Sequence, residues 1–301
     1  MYYFLYGFLY LVSLIPMRIL YIISDGVYLL VYYVLGYRKK IVLDNLEIAF
    51  PEKTNAERLI IAKRFYRNLF DSFIETVKLL SASSSFLEKR VTANWDAFLP
   101  LYDSGRSCQV HLGHTFNWEW GQHVLNAKTR YDVFIVYMPV NNAIFEKLMY
   151  RMRTRSGTNF VPASEFKKIR ATFAGSQSLL ALVADQSPGI PANAYWRNFF
   201  GRPTGFVAGP EKGARHRNIP VVFASIIKPR RGHYHANIKV ACEVPRALEE
   251  GELTSMYVDY LEREIRKNPE MWLWSHRRWK HGWKPEYKHW IGNEPPPSNL
   301  S

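Results

Sequence analysis

Residues 107–120 read SCQVHLGHTFNWEW, and within them His114 and Glu119 stand five positions apart, flanked by His111 and His123. An imidazole held by a carboxylate is a general base that takes a proton from an alcohol near neutral pH; the carboxylate fixes its tautomer and stabilises the imidazolium. The four side chains also have the residue types of a metal-ligand set. The two leading histidines straddle Gly113, however, and no H-E-x-x-H spacing occurs, so no metal site is expected. A histidine satisfied within a packed core is the third reading. A nucleophilic Ser or Cys is disfavoured, because no G-x-S-x-G elbow is present and Cys108 lies inside an apolar run.

The elements around this stretch place the histidine. CQVHL is strand-like, Gly113 permits a sharp turn, and NWEWGQHVL suits a helix capped by Thr115 or Asn117. His114 then falls at the carboxyl edge of an α/β sheet, where such folds put ligands, and Glu119 falls in the first helical turn. The positive end of that helix favours developing negative charge, a combination that fits acyl transfer to a hydroxyl. Between Ser104 and Ile227 the runs CQVHL, YDVFIVYM, SLLALVA and PVVFASII alternate with helix-like stretches. This predicts an α/β fold with a mainly parallel central sheet flanked by helices. Leu59, Ile60, Phe65, Leu69, Phe70, Phe73 and Ile74 recur at helical spacing after an Asn/Thr start, and a second amphipathic helix is expected from Ala247 to Arg266, ending before Asn268–Pro269.

The chain has 301 residues, 48% of them hydrophobic, and a formal charge of +14. That supports a sizeable core and an anionic partner: nucleic acid, an acidic membrane surface or an acidic protein. Cys108 and Cys242 alone make neither a disulfide framework nor a thiolate metal site, which fits a reducing setting. The aromatic content of 15% tilts the partner toward the lipid interface. Residues 1–37 are apolar but interrupted by Arg18 and Asp25, with Pro16 as the natural break, and read as a membrane anchor. Either a kinked span or a monotopic hairpin fits, since no uninterrupted stretch reaches about 20 residues, and a buried core hairpin of a soluble protein is the plain alternative. Arg18 and Asp25, seven apart, share a helix face and are candidates to pair. There is no basic n-region or small-x-small site of a signal peptide, and Arg38, Lys39 and Lys40 favour a cytoplasmic location for the chain beyond them. Residues 38–290 read as one domain, and 291–301 as a disordered Pro-rich tail.

GHTFNWEW resembles the H-x4-E motif of the late acyltransferases of lipid A biosynthesis, the lauroyl/myristoyl type within the glycerolipid acyltransferase superfamily. RKKIVLDNLEIAFPEKT, YMPVNNAIFEKLMYRMRTRSG, ADQSPG with NFFGRPTGFVAGPEKGA, and PEMWLWSHRRWK are similar to further family blocks in the same order, over about residues 38–284. The resemblance implies transfer of a fatty acyl chain from acyl carrier protein to a hydroxyl of a lipid A precursor. It implies no cofactor, a position on the cytoplasmic face of the bacterial inner membrane, and no nucleic-acid partner. His114 and Glu119 take the catalytic places, while Arg153 and Gly157 match the family's Arg block, with Arg153 expected to meet a phosphate. Asp185 and Gln186 follow a strand-like run at the rim; Phe199 and Phe200 are candidate walls of an acyl pocket; Arg277, Arg278 and Lys280, interleaved with Trp, suit phosphates and headgroups. Phe116-Asn117 replaces the family's usual Gly-Asn, which bears on access after His114. Another lipid acceptor (an aminolipid, a different glycolipid or a phosphatidylinositol mannoside) fits the same motifs. A basic membrane- or nucleic-acid-binding protein with a vestigial His/Glu pair is the rival of another class.

Overall fold

The computed structural model describes residues 1–166, 175–292 and 294–296. Among them the strands are β1 (Val91–Ala93), β2 (Cys108–Leu112), β3 (Asp132–Tyr137), β4 (Asn159–Pro162), β5 (Ser178–Val183), β6 (Ala194–Phe199), β7 (Arg202–Val207), β8 (Val221–Arg230) and β9 (His233–Cys242). The main sheet runs β1-β9-β8-β2-β5-β3-β4, and β6 with β7 forms a separate antiparallel ribbon. Strands β8, β2, β5, β3 and β4 are mutually parallel; β9 returns antiparallel to β8 and carries β1 on its outer side. The four apolar runs of the sequence become β2, β3, β5 and β8, because strands covered on both faces need near-continuous apolar composition.

The helices are α1 (Tyr2–Leu14), α2 (Met17–Leu29), α3 (Lys39–Ala49), α4 (Asn55–Lys78), α5 (Ser84–Glu88), α6 (Leu99–Asp103), α7 (Trp118–Lys128), α8 (Ala143–Arg153), α9 (Gly209–Arg217) and α10 (Glu252–Lys267). Helix α4 starts at a reciprocal cap: Thr54 Oγ1 accepts from the Glu57 N–H, and Glu57 Oε2 accepts from the Thr54 N–H at 2.8 Å. Its inward stripe includes Ile61, Phe65, Leu69 and Phe70, whereas Leu59, Ile60 and Phe73, expected on the apolar face, are exposed. The stripe also carries two acids one turn apart, Asp71 and Glu75, both buried.

Helix α2 continues as a π-helical turn through Leu35, and the break from α1 falls at Pro16, as its fixed φ and missing N–H favour. Asp25 does not pair with Arg18. It takes a bidentate bond from Arg231, in the turn between β8 and β9, at 2.9 Å for each oxygen. At the other end, the Ile291 N–H donates to the Trp196 carbonyl at 2.7 Å, so the chain stays bonded to the β6–β7 ribbon that far. Residues 293 and 297–301 of the expected tail lie outside the described residues.

Candidate active site

Register brings the site together. In the parallel pair β2–β5, Leu112 faces Val183, so the residues two further on, His114 and Asp185, leave adjacent strands side by side. The connection from β2 leads to β3, beyond β5, while that from β5 leads to β8, beyond β2. Chains that depart in opposite directions open a crevice at the carboxyl ends of the strands. Between the two residues Gly113 has no room for a side chain: a Cβ there would lie 3.0 Å from Asp185 Oδ2 and 2.7 Å from Leu261 Cδ1.

Asp185 is 1% exposed and accepts three bonds. The His114 backbone N–H reaches Oδ2 at 2.7 Å, the Trp272 indole N–H reaches Oδ2 at 2.6 Å, and His114 Nδ1 makes a short bond to Oδ1. Burial works to raise the Asp185 pKa, but the charge and hydrogen bonds of His114, with the Trp272 bond, outweigh it and hold the carboxyl at about 2. A carboxylate can only accept, so Nδ1 carries the hydrogen and Nε2 is left with the lone pair. Nε2 lies 3.0 Å from the Gln186 amide nitrogen, which donates to it from an exposed position. Opposite, Thr115 pairs with Trp272 as an antiparallel bridge; the Leu273 N–H donates to the His114 carbonyl at 3.1 Å, and the Phe116 N–H to the Met271 carbonyl at 3.1 Å. The MWLW segment therefore clamps the turn that bears the histidine.

Glu119 is not the carboxylate on His114. It sits in the first turn of α7, capped by Asn117, and faces the end of α8, where Arg153 binds it through Nε (3.1 Å to each oxygen) and Nη2 (2.6 Å). Burial raises the Glu119 pKa and the Arg153 contact opposes the rise. Arg153 is thus a largely buried partner of Glu119, stacked 4.8 Å over the Trp118 ring. Gly157 acts through its backbone: at φ 82° it turns the chain after the short helical turn that follows Arg153. Arg153→Leu leaves a buried carboxylate unpaired and is expected to cost about 3–5 kcal/mol in denaturant unfolding, with Glu119→Leu added to it restoring much of the loss. A single-variant cost near that of a surface pair would show that water reaches Glu119.

Arg278 cannot reach a headgroup. It is 2% exposed, donates through Nη2 to the Gly205 carbonyl at 2.8 Å and lies 4.3 Å over the Phe206 ring; burial lowers its pKa to about 10, against the opposing charge of Asp185. Its neighbours Arg277 and Lys280 are exposed and, with Lys40, Arg202 and Trp279, line a cleft of about 710 Å³. Phe199 and Phe200 are core rather than open pocket walls: they pack against Trp272, Trp279, Phe50 and Trp274 with ring centroids 5.6–6.5 Å apart. Phe200 (φ 53°) and Gly201 (φ 68°) form the tight turn joining β6 to β7.

His111 and His123 are also buried, and burial lowers their pKa values to about 3 and about 4, respectively, with Arg155 adding to the effect at His123. Among the described residues no three His, Cys, Asp or Glu side chains converge as a metal set. Sequence reasoning missed Glu75. Its fully buried carboxylate accepts from Asn117 (2.7 Å), Tyr234 (2.6 Å) and Tyr21 (2.7 Å), tying the cap of α7 to β9 and to α2. Burial raises its pKa, and these donors work against the rise. The available signal was an acid repeated one helical turn apart in the core register of α4.

An imidazole oriented by a buried carboxylate at the carboxyl edge of a mainly parallel sheet is the arrangement of α/β enzymes that take a proton from a hydroxyl. The chain belongs to the bacterial lipid A biosynthesis acyltransferase family, whose family model matches residues 1–281. No curated protein matches it significantly.

Proposed function

We propose that the protein transfers a fatty acyl group from an acyl carrier protein thioester to a hydroxyl of a lipid A precursor at the cytoplasmic face of the inner membrane, without a metal or cofactor. The observation that carries this reading is His114, with Nδ1 on Asp185 and the Nε2 lone pair turned outward beside Gln186. Nε2 takes the proton of the acceptor hydroxyl as its oxygen bonds to the thioester carbonyl carbon. The tetrahedral oxyanion collapses, the carbon–sulfur bond breaks, and the imidazolium returns its proton to the departing thiolate. Gln186, whose amide lies 3.0 Å from the reacting nitrogen, is our choice to bond the oxyanion once the acceptor displaces it from Nε2.

The family membership supports the acceptor class. The charge of +14 suits an acidic carrier protein. The cleft of Lys40, Arg202, Arg277 and Lys280 suits phosphate, and it is tied to the site rim because Ser187, two residues beyond Asp185, bonds the Arg277 and Arg278 carbonyls at 3.2 and 2.8 Å. Mass spectrometry of a tetra-acylated lipid A precursor after incubation with purified protein and mixed acyl-carrier donors is the test. A gain of one acyl chain is expected. No gain from any donor, with the protein folded, would overturn the acceptor assignment.

A further inference from the structure

We propose that α1 and α2 lie in the plane of a single anionic leaflet and do not cross the bilayer; this rests on the membrane association proposed above. Met17–Leu35 is 19 residues long with a mean hydropathy of 1.5, and at 1.5 Å per residue its length of about 28 Å nearly matches a hydrocarbon core. Length and composition alone would therefore allow a span. The packing of α2 does not.

Along its whole course α2 turns one stripe, Met17, Leu20, Ser24 and Tyr28, continued by Tyr32, into the protein. Along that stripe and its flanks, polar bonds tie α2 to charged groups of α4 and of the β8–β9 turn, which are costly to carry into hydrocarbon. Tyr21 donates to Glu75, Ser24 donates to Asp71 at 2.9 Å, and Asp25 is clamped by Arg231, which also bonds Asp71. Helix α4, the partner of α2, exposes Lys63, Arg64 and Arg67, so it cannot follow α2 into lipid. The same holds at α1: Lys78 and Ser81 bond the Ser13 carbonyl at 2.7 Å, and Tyr2 and Tyr6 lie under Lys147 and Arg151 of α8 at 4.6 and 4.3 Å.

The outward face is largely apolar, with Arg18 exposed on it one turn from Ile22. Phe4, Phe8, Leu11, Ile19, Ile22 and Val34 are 83%, 57%, 66%, 49%, 70% and 73% exposed, respectively. At the edge of α2, Tyr28 and Leu29 share a cleft of about 480 Å³ with the cations Arg64, Arg67, Lys228 and Arg231, which outnumber the acids there, Asp25, Asp71 and Glu270. A long apolar face bordered by cations is what an acidic leaflet accepts, the apolar side chains entering the acyl boundary and the guanidinium groups staying among phosphates. The occupant is thus one layer of lipid.

The test is a depth profile of the full chain. Single cysteines at positions 8, 11, 22 and 34, in a Cys108→Ala, Cys242→Ala background that retains acyl transfer, are spin-labelled and read in phosphatidylglycerol/phosphatidylethanolamine vesicles by competing oxygen and nickel-chelate relaxation. All four labels are expected at a shared shallow depth, within about 10 Å of the phosphates. A profile deepest near position 22 that returns to nickel exposure at position 34 across the bilayer would overturn the in-plane arrangement while keeping the membrane reading. Nickel exposure at all four positions would overturn the membrane reading itself.

Discussion

His114→Ala is expected to lower kcat by about 10²–10⁴-fold, the contribution of a positioned general base, with the fold retained. The residue is 23% exposed at its side chain, and its packing role is small beside its bonds to Asp185 and Gln186. Removing it leaves the acceptor hydroxyl without the group that takes its proton, while the basic cleft of Lys40, Arg202, Arg277 and Lys280 is unaltered. KM should therefore move little. The measurement is initial rate against acceptor concentration for wild type and variant, with circular dichroism to establish that both are folded. A variant that keeps its kcat would make His114 a structural histidine and return the protein to the non-catalytic binding class.

How much of this was legible in the sequence depends on what each residue must satisfy locally. The runs that became β2, β3, β5 and β8 are covered by neighbouring layers and had to be apolar, so they stood out. Strand β9, HYHANIKVAC, has several half-buried or exposed polar positions and gives no such run, although it ladders to β8 over most of its length. The turn between strand and helix at Gly113 and the Asn117 cap were readable because backbone chemistry there is local. The partner of His114 was not. Glu119 is close in sequence but opens a helix whose first turn faces α8, whereas Asp185 is 71 residues away and meets the histidine through the order and register of two strands. Strand order is a property of the assembled sheet, and nothing local to His114 encodes it. Arg277 and Arg278 make the same point at smaller scale: identical and adjacent, one faces solvent and the other fills the core over Phe206.

Asp185→Asn carries the second large effect, and it separates the two carboxylates. An amide at this position can still accept from the His114 backbone and from Trp272 through its oxygen, the bonds now made by Oδ2. Its nitrogen then faces Nδ1 as a donor, so Nδ1 must accept, the ring hydrogen moves to Nε2, and the lone pair needed for catalysis points at the wrong partner. Loss of kcat of about 10⁴-fold is expected, the size of the same tautomer error in serine-protease triads. Stability should change in a pH-dependent way. The folded carboxyl is held at about 2, below its ordinary value, so its ionised form stabilises the wild-type fold fully above about pH 4; this contribution fades as pH falls toward 2. The Asn variant lacks that contribution: the gap in urea midpoint between it and wild type should be open at pH 5 and above and narrow progressively below pH 4. An unchanged kcat would mean that Asp185 does not set the tautomer and that Glu119 must leave Arg153 to do so when substrate binds. A stability gap independent of pH would mean that the side chain contributes through packing and not through its charge.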